Sequence, residues 1–73
     1  MEKTNKQIAE EALALLTKEG KTLSAKRLES AMKNNCIMLG IDDIDWDIQM
    51  ALENFGGVVR TNYRGYFAKF YFN

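Results

Sequence analysis

The chain has no histidine and a single cysteine, Cys36. One cysteine cannot close an intrachain disulfide, and no zinc set of the usual spacing can be assembled around it. Catalytic signals are missing too: there is no serine or cysteine elbow, no phosphate-cradling glycine loop and no nucleophile–base pair, so no enzyme and no cofactor is expected. No apolar run approaches the length of a membrane span, and the opening MEKTNKQIAE is too polar for a signal peptide. Net charge is absent as well, since ten Lys and Arg balance ten Asp and Glu. That removes any global reason to expect attachment to nucleic acid or to an acidic membrane, so charge has to be read locally. A disulfide-free chain of 73 residues fits a reducing cytoplasm and reads as one complete domain, 1–73, near the lower size limit for folding alone.

What is present is strong local patterning. Thr4-Asn5-Lys6-Gln7 has the form of a capping box, and Ile8, Ala9, Ala12, Leu15 and Leu16 then fall on one side of a helix. Gly20 is placed to stop it, so the first helix is expected over residues 5–19. Lys21-Thr22-Leu23 reads as a short extended link, and Ser24 as the cap of a second helix. Ala25, Leu28, Ala31, Met32, Cys36 and Leu39 keep helical spacing, which predicts that this helix reaches Gly40; Asn34-Asn35, two weak helix formers, mark where it would end early.

Gly40-Ile41-Asp42 predicts a tight connection. With Asp42 as N-cap, Ile41 and Trp46 occupy the two positions of a hydrophobic staple, and a third helix runs from Asp43 to Phe55. Ile44, Ile48, Ala51, Leu52 and Phe55 form its buried stripe, and Gly56-Gly57 ends it. After that the period changes: VVRTNYRGYFAKFYFN is rich in β-branched and aromatic residues and is broken at Arg64-Gly65. A two-residue turn there pairs Tyr63 with Tyr66, Thr61 with Ala68 and Val59 with Phe70. Val59, Thr61, Tyr63, Tyr66, Ala68, Phe70 and Phe72 then share one face, while Val58, Arg60, Asn62, Phe67, Lys69 and Tyr71 share the other. Arg60 would lie opposite Lys69, an unfavourable like-charge pair unless an anion lies between them. The expected core is Ile8, Leu15, Leu16, Leu28, Met32, Ile44, Ile48, Leu52, Phe55, Val59, Phe70 and Phe72.

Three helices followed by a β-hairpin, with a short strand at Thr22-Leu23, resemble a small winged helix-turn-helix domain of the α+β class. LGIDDIDWDIQMAL also resembles the core of helix-turn-helix proteins at Leu39, Gly40 and Ile41, with the buried positions of the following helix displaced as though the turn were lengthened. The resemblance implies that the third helix would read the major groove. It also implies a hairpin wing that would touch phosphates, offering Arg60, Arg64 and Lys69.

The charge of that third helix argues otherwise. From Asn34 to Gly57 there are five acids (Asp42, Asp43, Asp45, Asp47 and Glu53) and no Lys or Arg. Duplex affinity comes largely from cations that neutralise phosphates, so such a helix would repel DNA. Aspartates at a helix start also cap it and favour its dipole, which covers Asp42, Asp43 and Asp45 but leaves Asp47 and Glu53. A step of 100° per residue sends Trp46 and Met50 outward with Gln49, Glu53 and Asn54, unless Trp46 folds down onto Ile41 or neighbouring elements cover it. An acid-rimmed Trp–Met pair suits a protein contact.

The leading expectation is therefore an interaction protein that binds a protein partner through Asp43, Asp45, Trp46, Asp47, Gln49, Met50 and Glu53. In its most specific form it would imitate nucleic acid and occupy a nucleic-acid-binding site on a larger protein, as small inhibitors of viral or mobile-element origin do. The alternative is a DNA-binding transcriptional regulator using the wing and the second helix, through Lys26, Lys33, Arg60, Arg64 and Lys69. Lys and Arg on a hairpin also guard against edge pairing without binding anything. Tyr71 and Phe67 would extend a contact surface, and a homodimer seam at Trp46 and Met50 is a further possibility.

Overall fold

The computed structural model describes residues 2–34, 37–40, 42–62 and 67–72. Helix α1 (Asn5–Lys18) begins as its sequence predicts. Thr4 Oγ1 accepts from the Gln7 amide at 3.1 Å, and Gln7 Oε1 accepts from the Thr4 amide at 2.8 Å. It ends on Gly20, whose φ of 75° lets two amides turn back onto the last helical carbonyls. Gly20 donates to Thr17 at 3.1 Å and Lys21 to Leu16 at 2.9 Å, the paired bonds of a Schellman motif.

The chain then re-enters helix at once. The Lys21 carbonyl accepts from Ala25 at 2.9 Å, so α2 (Thr22–Asn34) occupies the residues expected to form an extended link and strand. Ser24 is consequently not a cap but a buried residue of the first turn. At its other end α2 stops at Asn34, short of Gly40. Met38–Leu39 form strand β1 instead, antiparallel to β3 (Ala68–Tyr71), with Met38 opposite Tyr71 and Leu39 opposite Phe70. The Phe72 amide donates to the Ile37 carbonyl at 2.9 Å and extends this pairing. Leu39 does fit helical spacing, but pairing with a strand distant in sequence buries it completely, and that tertiary gain wins. Cys36, expected to continue the buried stripe of α2, lies outside the described residues.

Helix α3 (Trp46–Asn54) starts three residues later than expected, on Asp45 rather than Asp42. The stretch before it is a turn, in which the Asp43 and Ile44 amides donate to the Gly40 carbonyl at 3.0 and 3.2 Å. With the cap moved, Trp46 is the first helical residue and the two staple positions pass to Ile44 and Gln49; Ile41 lies outside the described residues. The helix ends as α1 does: Gly56 has φ 89°, its amide donates to Glu53 at 3.1 Å, and Gly57 donates to Leu52 at 2.8 Å. Gly57 is where α3, α1 and the sheet crowd together. A Cβ there would lie 2.9 Å from the Leu52 carbonyl oxygen, 3.0 Å from Phe70 and 3.1 Å from Ile8.

Strand β2 (Arg60–Thr61) pairs antiparallel with β3 in the expected register, Arg60 with Lys69 and Thr61 with Ala68. The turn residues Tyr63, Arg64, Gly65 and Tyr66 lie outside the described residues. The sheet order is β1-β3-β2, giving three helices and a small antiparallel sheet, an α+β domain. Phe70 and Phe72 turn inward with ring centroids 5.5 Å apart at an 85° edge-to-face angle. Around them pack Ile8, Leu16, Leu28, Leu39, Ile48 and Leu52, while Ala9, Ala12, Ala25, Ala31 and Ala51 let the helices approach closely. Leu15, Met32, Ile44, Phe55 and Val59, all expected inside, sit partly buried against this core. Among the described residues no helix is long and apolar enough to cross a membrane.

Candidate interaction surfaces

The acids around the start of α3 separate into two groups. Asp45 uses both carboxylate oxygens within the fold. Oδ1 accepts from the Ile48 amide at 2.8 Å, and Oδ2 accepts from Ser24 Oγ at 2.9 Å and from Arg27 at 3.4 Å. Asp47 pairs with Lys21 at 3.0 Å. That bond, and the charge of Asp47, raise the Lys21 ammonium pKa above its ordinary 10.5. Both acids therefore tie α3 to the α1–α2 junction. Asp42, Asp43 and Glu53 have no cationic partner among the described residues; Glu53 accepts from Gln49 Nε2 at 3.0 Å.

The apolar residues of this region point outward. Trp46 is 70% exposed and Met50, one turn along, 48%. A shallow depression of about 350 Å³ beside them is lined by Leu15, Glu19, Lys21, Asp47, Ala51 and Asn54 as well. A second, of about 490 Å³, runs along Gly20–Ser24, Arg27, Asp45 and Asp47. The Lys21–Asp47 pair lines both. Leu23, in the second, is 79% exposed, a feature that an extended-link reading of Lys21-Thr22-Leu23 had no means to reveal. The available signal was Leu23 itself, an apolar residue off the buried stripe once the helix is begun at Thr22.

The expected cations are scattered differently. On α2, Lys33 pairs with Glu29 at 3.4 Å, while Lys26 is exposed with no ion-pair partner among the described residues. Arg60 and Lys69 face each other across β2 and β3. The Lys69 ammonium lies 5.5 Å from the centre of the Phe67 ring. Arg64 lies outside the described residues. No group of three or more Cys, Asp or Glu among the described residues is placed to hold a metal ion. No known protein family, curated protein or solved structure matches the chain.

Proposed function

We propose that the chain is a non-enzymatic interaction protein that binds a protein partner through α3. The observation that carries this reading is the exposure of Trp46, an indole held in water at the first turn of a helix whose stripe of Ile48, Ala51 and Leu52 is buried. Tryptophan is among the commonest interface anchors, because it buries a large area at little entropic cost. Met50 extends the apolar area along α3, and Leu23 adds to it beyond the Lys21–Asp47 pair. Asp42, Asp43 and Glu53 supply the polar, acidic margin that such an anchor requires. A partner with a basic surface fits it best, and a nucleic-acid-binding site on a larger protein is the specific form of that reading. With Asp45 and Asp47 neutralised inside the chain, imitation of nucleic acid by a viral or mobile-element inhibitor rests on three carboxylates rather than five.

The test is affinity capture with quantitative mass spectrometry, comparing the natural chain with Trp46→Ala. A specific partner should be lost with Trp46→Ala, with affinity falling by about thirtyfold or more, and retained with Arg60→Gln/Lys69→Gln. If no captured protein depends on Trp46, the reading fails. Fluorescence of Trp46 that shifts with protein concentration would replace the foreign partner with a second copy.

The second reading, a winged-helix DNA-binding regulator, rests on Arg60 standing opposite Lys69 with no acidic partner for either among the described residues. It is weakened on α2, where Lys33 is already paired. Anisotropy of a random-sequence duplex at low and then moderate salt decides it: tight binding that collapses with salt would favour the regulator.

A further inference from the structure

The outer face of the sheet carries an arrangement that α3 does not use. Along β3, Lys69 and Tyr71 alternate with the buried Ala68, Phe70 and Phe72 and point outward, and Phe67 precedes them on the same side. The register sets Arg60 beside Lys69 and Met38 beside Tyr71. Val58, 71% exposed, continues that face before β2. The central strand thus reads aromatic, cation, aromatic, with a second cation alongside the first. Arg60 and Tyr71, with Asn5 and Val58, line a depression of about 500 Å³.

Three features of this face select its occupant. No acidic residue occurs between Gly57 and Asn73, and neither Arg60 nor Lys69 has an ion-pair partner among the described residues. Opposed like charges on an antiparallel pair are unfavourable, and a bound anion relieves them. The rings of Phe67 and Tyr71 stay partly exposed on either side of the cations, with Lys69 over one face of Phe67 and Tyr71 the more open platform for a base. An acidic peptide would answer the charges and leave the rings idle, while a duplex would keep its base faces stacked within itself. Unpaired nucleotides answer both, since phosphates meet cations and bases meet rings.

We propose that the outer face of the sheet binds single-stranded nucleic acid, with bases stacking on Tyr71 and Phe67 and phosphates held by Arg60 and Lys69. This is independent of the reading of α3. The test is anisotropy of a labelled oligothymidylate and of a labelled duplex of the same length, from low to moderate salt. The single strand should bind more tightly than the duplex. Tyr71→Leu should weaken it by about tenfold, as the loss of one stacked base does, and Tyr71→Trp should restore it. Arg60→Gln with Lys69→Gln should flatten the salt dependence. Trp46→Ala should change nothing, and Trp46 emission should not respond to the strand. Circular dichroism of each variant establishes that it is folded. The proposal is overturned by no strand binding at low salt, by equal affinity for duplex, by indifference to both Tyr71→Leu and Phe67→Leu, or by quenching of Trp46. Self-association that Tyr71→Leu abolishes, without strand affinity, would assign the face to a second copy and overturn it equally.

Discussion

The acids at the start of α3 and the cations of β2 and β3 are both short runs of one sign, and the fold treats them differently. Asp45 and Asp47 meet Ser24, Arg27 and Lys21 across the helix junction. Arg60 and Lys69 meet each other. The larger run of charge in the sequence is thus partly spent on architecture, while the smaller one has no acidic partner among the described residues. A count along the chain ranks the two in the opposite order. What it misses is partnership, which depends on residues brought together from α2 and α3.

The largest test of this contrast is Asp45→Ala. It removes an N-cap and leaves the buried Ser24 hydroxyl without its acceptor, which together should cost about 3 kcal/mol. For a domain of this size that lowers the melting temperature by roughly 15 °C, read by thermal denaturation. Asp42→Ala, at an exposed residue with no hydrogen bond or ion pair among the described residues, should stay within about 0.5 kcal/mol. Equal losses from the two would mean that the acids are interchangeable, and the contrast would break.

Gly57→Ala comes next, because Gly57 is the seam between the two regions. A methyl group there must displace the Leu52 carbonyl, Phe70 and Ile8. Such overpacking should cost about 2 kcal/mol in urea unfolding. Both surfaces rest on this seam, so the variant should weaken partner and strand binding together only where it unfolds the chain. Loss of one surface alone, in a chain still folded, would show that they are not held by a common core.

These residues also mark what the sequence could and could not reveal. The ends of α1 were legible because Thr4, Gln7 and Gly20 act on amides within a few residues of themselves. The register of β2 with β3 was legible because a two-residue turn expected at Arg64-Gly65 fixes which residues pair, although those turn residues lie outside the described ones. The start of α3 was not: Asp42, Asp43 and Asp45 are all competent caps, and Asp45 alone also meets Ser24 and Arg27 on α2. Strand β1 was hidden for the same reason, since Met38 and Leu39 find their partners only when Phe70 and Tyr71 arrive. Whether Trp46 faces outward was not legible, because helical spacing sent it out while a staple on Ile41 would have folded it down; with the cap at Asp45 it is exposed. Asp45 and Asp47, expected to meet a partner, serve the fold first.

A smaller effect separates stability from binding on the sheet. Arg60→Thr removes the like-charge opposition to Lys69 and adds a β-branched residue, so it should stabilise the chain by about 0.5 kcal/mol. The same variant should lose affinity for the single strand. Salt should narrow the stability difference from the natural chain, because screening already relieves the repulsion there. If Arg60→Thr is destabilising, the cations are partnered in solution and the sheet resembles the helix junction after all.

The smallest effect tests the answered side of the comparison through pH. Lys21 is exposed, so its pair with Asp47 is worth little, but its direction is defined. Its pKa in the folded chain is raised, first by the hydrogen bond to Asp47 and then by that carboxylate's charge. The folded state therefore holds this proton more tightly than the unfolded state does. The resulting stability is fully present below the ordinary 10.5 and is lost as pH rises through the raised value. Tyrosines titrate in the same alkaline range, so the informative quantity is the difference between the natural chain and Lys21→Met in urea unfolding at each pH. That difference should be constant through neutral pH and shrink as the Lys21 ammonium deprotonates in the alkaline limb. A difference that does not shrink in the alkaline limb would mean that Lys21 is not the residue that answers Asp47.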